Sequence, residues 1–336
     1  MHNVGVIGCG YWGPNLIRNF SQLRRSRVLY VADLDEGRLR HMEGLYPAIR
    51  ATKDYREIIN DPDVDIVAVA TPVGTHHRIA AAALAAGKHT FVEKPMASSV
   101  SEAEGLVKMA AENDRKLMVG HTFVYTAAVR KMKEIVDSEE LGDLYYINSQ
   151  RLNLGLFQQD INVLWDLAPH DLSMILFILG KVPSQVSAVG TSHINPAIED
   201  VAVLTLFFDN DLIAFVQASW LDPDKIRRMT LVGSNKMMVF DDVQPTEKIR
   251  IYDKGVEKPA HYDTFAEFHY SYKYGDILIP KIGGTEPLRT ELGHFLDCIE
   301  QDKTPDSDGV AGLQVVKILE AAQESLSNGN NRVTIR

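Results

Sequence analysis

Cysteine is scarce in this sequence, with only Cys9 and Cys298 among 336 residues. Two cysteines are too few for a disulfide framework, and they match no metal-ligand spacing, so we interpret both as small buried hydrophobic residues in a reducing compartment. The histidines show no metal-ligand spacing either. No apolar run reaches about eighteen residues, and no secretory-type segment stands at the N-terminus. We therefore expect a cytoplasmic protein without a membrane anchor or a metal centre.

Positive charge is also in deficit, since 35 lysines and arginines face 45 aspartates and glutamates, for a net charge of −10. This excess of negative charge argues against electrostatic binding of nucleic acid or anionic membranes over a broad surface. Any phosphate group must therefore be bound by a local site. The chain is long enough for two domains, and its 45% hydrophobic content is typical of a folded globular protein.

Short apolar runs alternate with helical patterns through the first part of the chain. Residues 3–8 and 28–32 are typical of buried parallel strands, and the segment between them has helical spacing. The alternation continues through residues 36–45, 54–60, 65–70, 77–87, 89–92, 99–113 and 116–120. This rhythm predicts a doubly wound parallel sheet.

The rhythm changes after His121, because most of the later strands follow one another without helices between them. Helices are predicted at 127–138 and 166–179, and strands at 184–192, 201–208, 212–219, 227–233, 236–241 and 248–252. The chain then returns to helix over residues 287–299 and 309–326. We expect this half to be an α+β domain with a mostly antiparallel sheet.

A glycine-rich turn is the sharpest local motif. Gly8, Gly10 and Gly13 have GxGxxG spacing between the first predicted strand and the first predicted helix. Gly8 allows a tight turn, Gly10 lets the backbone approach a pyrophosphate, and Gly13 lets helix and strand pack closely. We predict that this segment, with the intervening Tyr11 and Trp12, binds a dinucleotide.

Asp33 stands twenty residues beyond Gly13, at the end of the second predicted strand. A carboxylate there accepts hydrogen bonds from ribose hydroxyls and repels a 2′-phosphate, so NAD is favoured over NADP. Arg38 leaves an alternative open, because a nearby arginine can pair with a 2′-phosphate. We favour a solvated helix position for Arg38, or packing near the adenine.

The stretch ATPVGTHHRIAAAALAAGKHTFVEKP carries a more specific signal. It resembles the core signature of the Gfo/Idh/MocA family of sugar and polyol oxidoreductases. The resemblance implies cofactor contacts from Thr71, Pro72, His76, Glu93 and Lys94. It also implies that Lys94 is catalytic, because the lysine of the family's Glu-Lys-Pro motif lies beside the nicotinamide and the substrate.

The position of Lys94 also favours a catalytic role on physical grounds. It follows a predicted strand at the carboxyl edge of the sheet, where α/β proteins bind their ligands. An ammonium group there can polarise a substrate oxygen or stabilise a developing alkoxide. A structural salt bridge with a neighbouring acid is the alternative.

Asp166 and His170 stand four residues apart at the start of a predicted helix, and so share one face. A histidine there can accept a hydroxyl proton while a hydride leaves the same carbon, and a carboxylate can orient the substrate or the ring. From the residues alone, a structural pair is the commoner outcome. The family resemblance implies catalytic roles, since both residues align with its Asp-x-Gly-x-His pattern, although Ala168 replaces the glycine.

Looser matches suggest substrate contacts from Tyr125 and from the segment that carries Arg151 and Asn153. Side chains alternate between the two faces of a strand, so only every second residue of this segment can face the substrate. We favour Asn153 and leave Arg151 equally open to a structural role. An aromatic run that includes Phe265 and Phe268 is interpreted as loop or interface packing, with a sugar-binding face as the alternative.

The expected protein has an α/β Rossmann domain at residues 1–121 and an α+β domain at residues 122–336. Its C-terminal helices, 287–327, are expected to pack back toward the first domain. The resemblance implies a homodimer or homotetramer that transfers a hydride between NAD and a secondary alcohol or ketone carbon of a sugar.

The substrate expectation rests on the stretch SQRLNLGLFQQDINVLWDLAPHD, which resembles family members from nucleotide-sugar and surface-polysaccharide pathways. We therefore favour a nucleotide-linked sugar. A free polyol such as inositol, or a simple hexose, is the alternative substrate. A non-catalytic NAD-binding sensor is the alternative class of function.

Overall fold

The computed structural model describes residues 1–257 and 270–336, so Phe265 and Phe268 lie outside the described residues. Contacts within the chain divide it into two compact units. Unit 1 comprises Met1–Thr126 and Thr285–Glu320, and unit 2 comprises Ala127–Gly284 and Ala321–Arg336.

Strands and helices alternate through the N-terminal part of unit 1. The strands are β1 (His2–Ile7), β2 (Ser26–Ala32), β3 (Arg50–Thr52), β4 (Ile66–Val69), β5 (His89–Glu93) and β6 (Leu117–Gly120). The helices are α1 (Gly13–Gln22), α2 (Glu36–Leu45), α3 (Tyr55–Asn60), α4 (His76–Ala85) and α5 (Val100–Glu112), with 3-10 turns at Val73–Thr75 and Thr122–Tyr125.

The six strands of unit 1 form one parallel sheet in the order β3-β2-β1-β4-β5-β6. Its central strands are buried, as the full burial of Val6 and Val67 shows. The strand order reverses between β1 and β4, and ligands of such sheets bind at the carboxyl ends beside that reversal. The predicted doubly wound sheet is confirmed.

Unit 1 also contains α8 (Pro287–Glu300) and the beginning of α9 (Gly309–Ser327). The buried face of α8 carries Leu292 and Phe295, which are fully buried. Arg18 pairs with Glu286, just before α8, at 2.6 Å. Helix α8 therefore completes the packing of a unit that begins at the other end of the chain.

Unit 2 is built around a second sheet. Its elements are α6 (Ala127–Asp137), β7 (Leu144–Leu152), α7 (Val163–Leu179), β8 (Gln185–Thr191), β9 (Val201–Phe207), β10 (Ile213–Ser219), β11 (Ile226–Gly233), β12 (Met237–Asp241), β13 (Ile249–Glu257), β14 (Ser271–Leu278) and β15 (Val333–Thr334). In the described part of the chain, the strand order is β14-β13-β12-β11-β7-β10-β9-β8-β15. The β7–β10 pair is parallel and the other neighbouring pairs are antiparallel, which confirms a mostly antiparallel sheet.

Helix α7 and strand β14 of unit 2 differ from the sequence prediction. Helix α7 begins at Val163 rather than at residue 166, because the Asn162 side chain accepts the backbone N–H of Trp165 at 3.2 Å and caps the helix earlier. Strand β14 was not predicted. All its residues are exposed, so its sequence shows no alternation between buried and exposed positions.

Candidate active site

A tight turn joins β1 to α1, and glycines make it possible. Gly8 has a φ of +101°, and a Cβ there would lie 2.4 Å from the carbonyl oxygen of Ala70. A Cβ on Gly13 would lie 1.9 Å from the carbonyl oxygen of Gly8, so no side chain fits at either position. At Gly10 the nearest described atom to a Cβ would be Nη1 of Arg38, at 3.6 Å. The backbone of Gly10 can therefore be approached closely.

Asp33 follows β2 and lies beside this turn. Its Oδ2 accepts the backbone N–H of Cys9 at 2.7 Å, and its Oδ1 accepts that of Asp35 at 2.9 Å. Nη1 of Arg38 lies 3.7 Å from Oδ2. These contacts fix the Asp33 carboxylate where the second strand ends, and they place the positive charge of Arg38 against it.

The same turn offers further surface to a dinucleotide. Tyr11 is 91% exposed, and its ring stacks on that of Trp12 with centroids 6.5 Å apart. Helix α1 begins at Gly13 and directs the positive end of its dipole toward the turn. An approachable Gly10 backbone, a helix N-terminus and a fixed Asp33 carboxylate fit the pyrophosphate and ribose of NAD.

His76 links the segments that follow β4 and β5. Its Nδ1 lies 2.8 Å from the carbonyl oxygen of Pro95, and its Nε2 lies 2.6 Å from that of Thr71. Burial lowers the pKa of His76, so the ring is neutral and donates to one of the two carbonyls at a time. This geometry gives His76 a structural role beside Thr71 and Pro72, and its direct contact with the cofactor stays a prediction.

Strand β5 ends at Glu93, and Lys94 follows at the carboxyl edge of the sheet. The Glu93 carboxylate lies so close to Gly120 that a Cβ there would be 2.8 Å from Oε2. Burial raises the pKa of Glu93 to about 7, against the opposing effect of the Lys94 charge. Glu93 therefore keeps its proton into the neutral range, next to the predicted catalytic lysine.

A second buried acid, Glu291 of α8, belongs to the same part of unit 1. Its Oε2 accepts the Thr122 hydroxyl at 2.7 Å. Burial raises the pKa of Glu291 well above its ordinary value, and the charge of Glu93 adds to this effect. Burial also lowers the pKa of His121 to about 3, with a contribution from Lys94. Glu93 therefore lies near a second buried acid whose pKa is also raised.

In unit 2, Asp166 and His170 lie one turn apart on α7. Asp166 is in the first turn, where a carboxylate complements the positive end of the helix dipole. The indole Nε1–H of Trp220 donates to Asp166 Oδ2 at 3.0 Å. The Asp166 carboxylate is therefore held in one orientation at the start of the helix.

Arg151 of β7 forms a buried ion pair with Asp171 of α7. Its Nε donates to Asp171 Oδ2 at 2.5 Å, and the Ser149 hydroxyl donates to Oδ1 at 2.6 Å. The Arg151 and Asp171 side chains are 5% and 3% exposed. The pair fixes the position of α7 on the sheet and supports the structural alternative for Arg151, whose substrate contact stays a prediction.

The two other predicted substrate contacts lie in different units. Asn153 follows β7 in unit 2, where it is partly exposed and its backbone N–H donates to the carbonyl of Ser219 at 3.2 Å. Tyr125 is buried in unit 1, and its hydroxyl accepts the backbone N–H of Ser307 at 3.2 Å. This burial indicates a structural role for Tyr125, and its contact with a substrate stays a prediction.

Two family models match this chain. The model described as "Oxidoreductase family, NAD-binding Rossmann fold" matches residues 2–121, and the model described as "GFO/IDH/MocA C-terminal domain" matches residues 129–239. The chain belongs to the GFO/IDH/MocA oxidoreductase family. It is therefore an NAD-dependent oxidoreductase, and the predicted family, class of activity and cofactor are confirmed.

Curated relatives match nearly the whole chain of this GFO/IDH/MocA protein. It is 28% identical to the UDP-N-acetylglucosamine 3-dehydrogenase of Acidithiobacillus ferrooxidans, over 93% of each chain. It is 24% identical to the myo-inositol 2-dehydrogenase of Thermotoga maritima, over 96% of each chain. A solved structure of the Acidithiobacillus enzyme superposes with a TM-score of 0.80, at 25% identity and with 98% of each chain covered.

Within residues 1–257 and 270–336, no group of three or more histidine, cysteine, aspartate or glutamate side chains is arranged to hold a metal ion. In that same part of the chain, no helix is both long enough and apolar enough to cross a bilayer.

Sequence reasoning missed two residues of this GFO/IDH/MocA chain that contact or surround the predicted catalytic groups. Glu291 left a signal, because an acidic residue stands on the apolar face of α8 beside Leu292 and one turn before Phe295. Trp220 left no comparable signal, since a tryptophan after a strand indicates burial without indicating its hydrogen-bond partner.

Proposed function

We propose that this protein transfers a hydride between NAD and a secondary alcohol or ketone carbon of a sugar, and that the sugar is nucleotide-linked. The observation that carries the proposal is the pairing of Asp166 and His170 on α7, with the Asp166 carboxylate fixed by the indole of Trp220. A held carboxylate one turn from an imidazole is suited to orienting a hydroxyl group and accepting its proton.

Each predicted catalytic residue receives its own role. NAD supplies the hydride acceptor when it is bound. His170 accepts the proton of the substrate hydroxyl, and Asp166 orients that hydroxyl. Lys94 polarises the substrate oxygen, and the raised pKa of Glu93, about 7, reduces the negative charge beside Lys94.

Both substrate classes occur among the relatives, since the UDP-N-acetylglucosamine 3-dehydrogenase is 28% identical to this chain and the myo-inositol 2-dehydrogenase is 24% identical. We favour a nucleotide-linked sugar over a free polyol or a simple hexose because the stretch SQRLNLGLFQQDINVLWDLAPHD resembles family members from nucleotide-sugar pathways. Residues 1–121 are assigned to the cofactor and residues 122–336 to the substrate.

A homodimer or homotetramer is part of the proposal. On the unit 2 sheet, Val189 of β8 pairs with Val203 of β9, and the two side chains are 56% and 39% exposed. In the same sheet the rings of Tyr146 and Phe215 contact each other edge to face. An exposed apolar sheet surface of this kind favours association between copies of the chain. A cytoplasmic location fits an enzyme that uses the cellular NAD pool, and it belongs to the proposal as well.

The test is nicotinamide absorbance with purified protein, NAD or NADP, and a panel of UDP-sugars, UDP-uronic acids, inositols and free hexoses. We expect reduction of NAD with a nucleotide-linked sugar. Lys94→Ala and His170→Ala should each lower kcat about 100-fold or more, as loss of a positioned acid–base group does. The His170→Ala variant should still bind NAD, which calorimetry can measure.

The outcomes separate the alternatives. Turnover of inositols alone would move the substrate to the free polyols. Wild-type activity of the His170→Ala variant would refute the proton-acceptor role of His170. If no sugar or ketosugar reacts in either direction while NAD binds, the dehydrogenase proposal fails and a sensor function takes its place.

A further inference from the structure

Trp220 follows strand β10 and is buried in unit 2, with 1% of its surface exposed. Its indole N–H points at the Asp166 carboxylate, with Nε1 3.0 Å from Oδ2. A hydrogen bond to an ionised carboxylate is stronger than one between neutral groups, and its direction is well defined. Trp220 therefore restrains the carboxylate more than apolar packing would.

The same tryptophan holds the segment that follows β7. The backbone N–H of Gly155 donates to the carbonyl of Trp220 at 3.0 Å, and the ring of Phe157 packs on the indole with centroids 5.5 Å apart. A Cβ on Gly155 would lie 2.8 Å from Cδ1 of Trp220 and 3.1 Å from Nδ2 of Asn153. The indole thus lies directly against the segment that carries Asn153.

A third contact fixes the backbone of Trp220 itself. Its N–H donates to the carbonyl of Asp200 at 2.9 Å. The Asp200 carboxylate accepts the backbone N–H groups of His193 and Ile194 at 2.7 and 2.9 Å, so this end of unit 2 is tied together. The indole therefore has little freedom to move away from Asp166.

We propose that Trp220 is a positioning residue of the dehydrogenase reaction, whose indole N–H fixes the Asp166 carboxylate in one orientation. The inference rests on the proposed function, in which Asp166 orients the substrate hydroxyl. Without the indole N–H, the carboxylate can rotate and orients the hydroxyl less often. Loss of the indole N–H should therefore lower kcat more than it lowers NAD affinity.

The test compares Trp220→Phe with Asp166→Asn and with the double variant. Phenylalanine keeps an aromatic ring and removes the N–H donor. We expect kcat of Trp220→Phe to fall about tenfold, which corresponds to about 1.4 kcal/mol of transition-state stabilisation, while NAD affinity is unchanged. Because both residues act through one contact, Trp220→Phe should have little further effect when Asp166 is already asparagine.

Phe157→Leu is the matched control, because it disturbs packing on the same indole and leaves the N–H in place. Gly155→Ala is an independent test, because its methyl group would displace the indole, so it should also lower kcat. This variant gives a result even if Trp220→Phe does not fold.

Three results would overturn the inference. Wild-type kcat in both Trp220→Phe and Gly155→Ala would do so, as would a full additional loss when Trp220→Phe is combined with Asp166→Asn. An equal loss in Phe157→Leu would assign the effect to packing. If Asp166→Asn has wild-type kcat, the proposed role of Asp166 fails, and the positioning role falls with it.

Discussion

Replacing Glu93 by glutamine tests whether the buried acid next to Lys94 costs the protein stability at neutral pH. In the folded protein the pKa of Glu93 is raised from 4.5 to about 7 by burial. Between pH 4.5 and about 7, Glu93 is therefore protonated in the folded state and ionised in the unfolded chain. The free energy of unfolding therefore falls as the pH rises from about 4.5 to about 7.

The size of the effect follows from the shift. At about 1.4 kcal/mol per pKa unit, the loss reaches about 3 kcal/mol above pH 7. Glutamine has no proton to lose, so the Glu93→Gln variant should lack this loss. For a unit of this size, about 3 kcal/mol corresponds to roughly 6–12 °C in melting temperature.

The assay is thermal unfolding of the NAD-free protein from pH 5 to pH 8.5. We expect the melting temperature of Glu93→Gln to rise relative to wild type as the pH increases through this range. Glu43→Gln, at an exposed position of α2, should follow the wild-type curve. If the Glu93→Gln and wild-type curves stay parallel, burial does not hold the proton on Glu93 and the reasoning is refuted.

Two further predictions concern backbone and core. Gly13→Ala should abolish NAD binding in calorimetry, because its methyl group would overlap the Gly8 carbonyl, whereas Gly74→Ala, where no described atom lies within 4 Å of a new Cβ, should bind normally. Asp171→Asn should lower the free energy of unfolding by about 3–5 kcal/mol, because it breaks a buried ion pair with Arg151. A loss below about 1 kcal/mol in chemical denaturation would contradict this.

Local patterns in the sequence were enough to predict the parallel sheet and the dinucleotide turn. Gly8, Gly13 and Asp33 lie close together in the chain, and the constraint on each glycine arises from its immediate backbone neighbours. Strand β14 could not be predicted in this way, because exposed residues carry no alternating pattern and its pairing depends on β13.

The contacts around the predicted catalytic residues were harder to predict. The hydrogen bond between Trp220 and Asp166 joins positions 54 residues apart, and the one between Thr122 and Glu291 joins positions 169 apart. Spacing rules describe neighbours on one helix or strand, so they cannot predict contacts between residues that are far apart in the sequence. The Arg151–Asp171 pair shows the same limit, because α7 and β7 meet only after folding.

Unit 1 is discontinuous, and this has a consequence for how the protein is made. The parallel sheet is complete in sequence by Gly120, but α8, which carries the buried Phe295, is translated after the 158 residues of Ala127–Gly284. At about 5–20 residues per second, roughly 10–30 s of synthesis separate the two. During that time the nascent sheet has an uncovered apolar surface, so slow translation or early termination in this stretch would leave a chain for chaperones to protect.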